Sequence, residues 1–237
     1  MTLWLYAIAL TRSWEVVSRN WVVSFAPLAY SLAFALLVAL VAPFGLIGGL
    51  LLGLGSQACV SSGLYLIENL ITRKRVDFDD FTRGFMVYLW ELLRIAFILW
   101  IPLQVAAIGL ATVPNGTLIF FIIKIALYIL LNPVPEFIYQ TRTSGLELLG
   151  ASYNFIVENW IEWFVPNILL TVIGYYLLGV LGTAVVGLPG FVQLLIYFFG
   201  FGLCLTYFMV FRGFLFAQLN GSTRRSRLYR FKAGNLQ

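Results

Sequence analysis

Charge is missing from most of this chain, and its absence falls in three long blocks. Residues 20–67 give 48 positions without a charged side chain, residues 163–211 give 49, and residues 95–135 give 41 with a single one, Lys124. An α-helix rises 1.5 Å per residue, so about 20 apolar residues cross the roughly 30 Å hydrocarbon core of a bilayer. Each block therefore has room for two spans joined by a short turn. Composition points the same way: 61% of the 237 residues are hydrophobic and 11% are charged, where a soluble domain carries about 25% charged residues. The expected fold is all-α, a polytopic membrane protein of six transmembrane helices, with the whole chain, 1–237, as one membrane domain.

Turn-forming residues divide each block. They are "APFGLIGG" (42–49), "VPNGT" (113–117) and "VGLPG" (186–190), combinations of Pro, Asn and Gly that interrupt helices. Spans are expected at about 22–42, 47–68, 93–112, 117–136, 164–185 and 191–212. These three turns are uncharged, whereas fourteen of the fifteen Lys and Arg residues lie on the opposite side. They include Arg12, Arg19, Arg73, Lys74, Arg75, Arg83, Arg94, Arg142, and Arg212 grouped with the terminal basic cluster. The positive-inside rule then places that side and both termini in the cytoplasm, with the protein in the cytoplasmic (inner) membrane. The first ten residues are apolar but too short to span, and they lack a basic n-region. They are expected to form an interfacial segment that stays on the mature protein.

One phrase occurs twice. "RNWVVSFAP" (19–27) returns as "ENWIEWFVP" (158–166), with Asn20/Asn159, Trp21/Trp160, Phe25/Phe164 and Pro27/Pro166 in register. Each copy precedes a span that leaves the cytoplasm. Trp suits the membrane interface, Asn suits a helix start, and Pro suits a first turn or a kink. Both copies follow amphipathic stretches suited to lying on the inner surface. In the second stretch Leu146, Leu149, Tyr153, Ile156 and Val157 recur at helical spacing. A third stretch, "DFDDFTRGFMVYLWELL", has Asp79 or Asp80 as the expected N-cap and Phe81, Phe85, Tyr88, Leu89 and Leu92 on one face. The expected layout is a parallel repeat: one copy at about 10–75, a middle hairpin at about 76–140, a second copy at about 145–220, and a basic cytoplasmic tail at 221–237. Inverted repeats are the stronger transporter signature, and this pattern is not one.

The segment "SGLELLGASYNFIVENW", together with "DFDDFTRGF" and "LPGF", resembles the uncharacterised six-span bacterial and archaeal membrane families. Those are related to the membrane domain found beside glycerophosphodiester phosphodiesterases. The resemblance implies a fold and no activity. The catalytic domain of those phosphodiesterases has no counterpart here, and no catalytic residue carries over.

Little in the sequence supports chemistry. There is no His, which removes a thiolate–imidazole nucleophile and most transition-metal sites. Two cysteines, Cys59 and Cys204, sit inside apolar runs and are expected as buried apolar residues. The net charge of +5 belongs to topology and headgroups, not to nucleic acid. Asp77, Asp79 and Asp80 are too few for a calcium loop. No cofactor, metal site or catalytic residue is expected.

Four groups of residues remain as candidates. Lys124 is the one charge deep in a span, a functional candidate by default, with Glu91 or Glu136 as possible carboxylate partners. Arg73, Lys74 and Arg75, and in the tail Arg224, Arg225 and Arg227, suit anionic lipid headgroups. Gly49 and Gly53 form a small-xxx-small pair that predicts a close helix contact, within the chain or with another subunit. Asn20, Trp21, Pro27, Asn159, Trp160 and Pro166 are the repeat anchors. The expected function is that of a non-enzymatic membrane subunit, a scaffold, assembly or accessory component packed against other membrane subunits or itself, with the bilayer and its anionic lipids as the other partners. The alternative is a permease-like transporter of small molecules or lipids, with a path beside Lys124, Ser56 and Gln57.

Overall fold

In a computed structural model, which describes residues 2–141 and 143–222, the chain is all-helical. Nine α-helices follow one another among the described residues: α1 (Thr2–Arg19), α2 (Ala26–Val41), α3 (Gly45–Thr72), α4 (Phe78–Val87), α5 (Leu89–Leu110), α6 (Gly116–Leu130), α7 (Val134–Gln140), α8 (Gly145–Ala184) and α9 (Gly190–Leu219). Five continuous stretches are long and apolar enough to cross a membrane. The first of them, Trp21–Thr72, bends at a 3-10 turn, Ala42–Phe44, into α2 and α3. Five to six long apolar helices is the make-up of a polytopic membrane protein.

The three expected turns are turns. Gly45 begins α3 at φ +53°, a conformation that strains any residue with a Cβ. Asn115 adopts the left-handed conformation at φ 59° and leads into α6, and Pro189 precedes α9. The expected fourth span, 117–136, is shorter than anticipated. Helix α6 stops at Leu130, and α7 starts only at Val134. Pro133 and Pro135 account for this, since neither has an N–H and each disfavours helical backbone in the residue before it.

Burial is uneven along the rods. The core gathers at the charge-bearing end, from Val16 and Val17 of α1, Leu66 and Leu70 of α3, Phe137 of α7, Leu148, Phe155 and Trp163 of α8, and Phe211, Leu215 and Phe216 of α9. Phe137, Phe155, Trp163 and Phe216 meet mostly edge to face, with ring centroids 4.8–6.4 Å apart. Toward the uncharged turns, most large apolar side chains face outward, among them Leu36, Leu46, Ile108 and Phe191. In water this would be untenable, but a helix that is apolar all round is what a bilayer accepts.

The amphipathic stretches are helices whose inner faces pack on the protein. Leu5, Ala9, Ser13 and Val16 line the face of α1 that is buried, and α1 packs chiefly on α9. Tyr207 of α9 donates its hydroxyl to the Leu10 carbonyl at 3.2 Å. In α4 the N-cap is Asp77, not Asp79 or Asp80. The Asp80 carboxylate sits three residues further on and accepts the Asp77 backbone N–H at 2.9 Å. At the start of α8 the side chains that turn inward are Leu148, Ser152, Phe155 and Ile156, while Leu146, Tyr153 and Val157 point out. The periodicity expected there was real, but it mixed an inward face with an outward one.

Candidate functional site: a buried ion pair and a tyrosine notch

Among the described residues the most heavily buried ion pair joins Glu136 and Arg212. Glu136 lies in the first turn of α7 and is 0% exposed; Arg212 lies two turns before the end of α9, its side chain 10% exposed. The guanidinium meets the carboxylate with two parallel bonds, Nε to Oε1 at 2.7 Å and Nη2 to Oε2 at 2.8 Å. Nη2 also donates to the Asn132 carbonyl at 2.7 Å, an oxygen set free by the break between α6 and α7. Trp163 lies against the guanidinium, its ring 5.1 Å away, and donates its Nε1–H to Asn132 Oδ1 at 2.9 Å. Phe208 packs on it from 5.6 Å. A planar fork on a carboxylate with an aromatic face alongside is the geometry that holds an Arg in a low-dielectric site. Both carboxylate oxygens are engaged inside the protein. The cluster ties α7, α8 and α9 together.

Lys124, expected as the functional charge, lies elsewhere. Its side chain is on the exposed flank of α6, with Nζ 4.8 Å from the Phe120 ring centroid. The two carboxylates considered as its partners are engaged: Glu136 with Arg212, and Glu91 with Arg94 at 2.9 Å. Among the described residues Lys124 forms no ion pair. Ser56, expected to line a transport path, bonds back to the Gly53 carbonyl at 2.8 Å.

Arg73, Lys74 and Arg75 are exposed on the loop that follows α3. Arg75 pairs with Asp77 at 3.0 Å. The loop is held by Asn20, whose Nδ2 donates to the Lys74 carbonyl at 3.0 Å and whose Oδ1 accepts the Val76 N–H at 3.2 Å. Arg224, Arg225, Arg227 and Arg142 lie outside the described residues. Among the described residues, no three metal-ligating side chains cluster.

The two anchor phrases share a local geometry. Asn20 and Asn159 both leave helical backbone, at φ −119°, ψ 35° and φ −129°, ψ 19°. Each returns its Nδ2 to the carbonyl four residues back, Val16 at 2.9 Å and Phe155 at 3.2 Å. Trp21 and Trp160 are both exposed. The copies then diverge. After Asn20 comes a 3-10 turn, Trp21–Phe25, and Pro27 stands in the first turn of α2. After Asn159 the helix resumes at once, and Pro166 is buried inside α8. The first copy is pressed by α9: a Cβ on Gly202 would strike the Ser24 carbonyl. Gly49 and Gly53, by contrast, have open space where a Cβ would be. Close approaches of a neighbouring backbone from another helix are made at Gly202 and at Gly84, which abuts Ser62, while Gly55, Gly200 and Gly213 are met by the side chains of Leu37, Leu181 and Ile71.

The chain matches no protein-family model, no curated protein and no solved structure.

One membrane-facing feature was not anticipated. Tyr175, Tyr176 and Tyr197 line a groove of 560 Å³ between α8 and α9, with Gly179 and Thr183 in its wall. Tyr175 is 83% exposed and Tyr176 70%. None of the three hydroxyls bonds to a described residue, whereas Thr183 donates to the Val180 carbonyl at 2.8 Å. Tyr176 precedes the turn at Val186 by ten residues, about 15 Å of helix at 1.5 Å per residue. With the edge of the bilayer at that turn, this depth would be near the middle of a roughly 30 Å hydrocarbon core. Scattered tyrosines in an apolar run read as ordinary bulk, so only a three-dimensional view brings these three together.

Proposed function

We propose that this chain is a non-enzymatic integral subunit of the cytoplasmic (inner) membrane, with six spans, both termini in the cytoplasm and interfacial helices arranged as a parallel repeat, and that it serves as a scaffold or accessory component docked to another membrane-spanning protein or to a second copy of itself. The observation that carries the reading is the tyrosine notch. A hydroxyl moved from water into hydrocarbon without a partner costs about 4–8 kcal/mol on alkane scales and about 1–3 on protein mutational scales. Three such groups at mid-span favour a neighbouring helix that offers carbonyl or side-chain acceptors. The open flank at Gly49 and Gly53 supplies a second face on which a helix can approach closely. The transport reading has no comparable support: both oxygens of the Glu136 carboxylate are engaged by Arg212, and Lys124 faces outward.

The test is purification from native membranes in mild detergent, with the wild type compared with a chain carrying Tyr175→Phe, Tyr176→Phe and Tyr197→Phe. The expected result is a stoichiometric membrane partner or a homo-oligomer that the triple variant loses while its melting temperature holds. A monomer in both cases, or a triple variant that keeps its partner in full, overturns the reading.

A further inference from the structure

A polar cleft of 590 Å³ opens at the charge-bearing ends of α3 and α5, bounded by α7 and the turn that precedes α8. Some of its polar groups are satisfied within the protein. Glu91 accepts the Gly145 N–H at 2.8 Å on one oxygen and Arg94 at 2.9 Å on the other. Glu68 Oε2 accepts the Tyr88 hydroxyl. Other groups are not. Glu68 Oε1 has no partner among the described residues. Asn69 lines the cleft, is 1% exposed, and its Nδ2 has no hydrogen-bond partner among the described residues. Arg73, at the C-cap of α3, lines the same cleft and forms no ion pair with a described carboxylate.

These open valences have two signs and a fixed order. Glu68 and Asn69 in the last turns of α3 and Arg73 at its C-cap follow one another along the cleft, positions 68 and 73 being about 7.5 Å apart along the helix axis at 1.5 Å per residue. An anion alone would leave Glu68 facing it, and a cation alone would leave Arg73 and the Asn69 amide unmet. A molecule bearing both charges a few bonds apart satisfies all three. We propose that this cleft binds a phosphate ester of a primary amino alcohol, as in a phosphoethanolamine headgroup, with the ammonium on Glu68 and the phosphate on Arg73 and the Asn69 amide. Arg and phosphate match as fork and tripod, and the ammonium–carboxylate contact is charge-assisted. The cleft adjoins the basic loop of Lys74 and Arg75, where an apolar span ends, which is the level at which headgroups lie. This site is independent of the notch and of any partner docked there.

Lipid retention tests the assignment. The full-length protein is exchanged in mixed micelles holding equal amounts of phosphatidylethanolamine, phosphatidylcholine and phosphatidylglycerol, and bound lipid is counted by native mass spectrometry. Choline has no N–H to give Glu68, and glycerol has no ammonium, so phosphatidylethanolamine is expected to be retained about tenfold over either. Glu68→Gln removes that preference. Arg73→Ala, at an exposed position where folding is not at stake, lowers retention of phosphatidylethanolamine about tenfold. Free phosphoethanolamine distinguishes the source: displacement of the lipid at micromolar concentration assigns the site to a soluble ligand, and persistence at millimolar concentration assigns it to the lipid. Equal retention of the three lipids with no binding of free phosphoethanolamine overturns the proposal. So does an Arg73→Ala chain that binds the amine phosphate as tightly as wild type.

Discussion

Replacing Arg212 by Ala isolates the energetics of the buried cluster. The change leaves Glu136, with no exposure at all, facing no cation, and it strips the Asn132 carbonyl of its donor. Removing one member of a buried pair destabilises by about 3–5 kcal/mol. Loss of the guanidinium from the Trp163 face adds about 1 kcal/mol. A total of about 4–6 kcal/mol is a large share of the 5–15 kcal/mol that holds a typical domain together. With about 2–4 °C per kcal/mol for a chain of this size, the melting temperature should fall by roughly 10–20 °C. The informative comparison is the double variant Arg212→Met with Glu136→Leu. It removes both charges together and leaves apolar groups of similar reach, so it should recover to within about 1 kcal/mol of wild type or exceed it. Thermal unfolding in detergent, followed by light scattering and tryptophan fluorescence, compares wild type, the single variant and the double variant. A single variant that melts within about 3 °C of wild type, or a double variant as damaged as the single, would refute the account of the pair as a desolvated, mutually dependent unit.

Three further outcomes follow from the packing. Lys124→Met should leave both folding and partner retention intact, because the ammonium lies over the Phe120 ring of its own helix and forms no ion pair with a described residue; a loss of assembly in co-purification would return Lys124 to a functional role. Gly202→Val should destabilise by at least about 1–3 kcal/mol through collision with the Ser24 carbonyl, whereas Gly49→Ala should leave the melting temperature unchanged; equal melting temperatures for the two would contradict the helix contacts described. Asn20→Ala loses the bonds to Val16, Lys74 and Val76, about 1 kcal/mol each, and should increase hydrogen exchange and proteolysis in the 73–76 loop ahead of any global change.

What could be read from the sequence was local. Blocks without charge give helices, and Pro-Asn-Gly at 114–116 and Pro-Gly at 189–190 give turns because each acts through its own backbone. The doubled Asn marked two helix breaks for the same reason, its amide reaching only four residues back. The ion pair could not be read. Arg212 stands next to an uncharged block and resembles the basic tail that follows, while its partner lies 76 residues earlier, and nothing local to either position announces the other. Lys124 attracted notice because it stands alone in a block. Its actual setting depends on which flank of α6 turns outward, which one helix's own sequence does not decide. Likewise the small pair Gly49/Gly53 looked more like a contact than Gly202 did, although it is Gly202 that admits a neighbouring backbone.

The concentration of packing at one end bears on how the molecule meets membranes of different thickness. Mismatch is usually absorbed by tilting or sliding whole helices. Here the charge-bearing ends are clamped by the aromatic cluster and the ion pair, so tilt about that clamp is left to the loosely packed hairpins beyond it. A thinner bilayer would splay these arms and a thicker one would draw them upright, while the charge-bearing end keeps its shape. Two surfaces at different depths thus answer to different things: the notch between α8 and α9 to the lipid around it, and the polar cleft at the clamped end to its ligand alone.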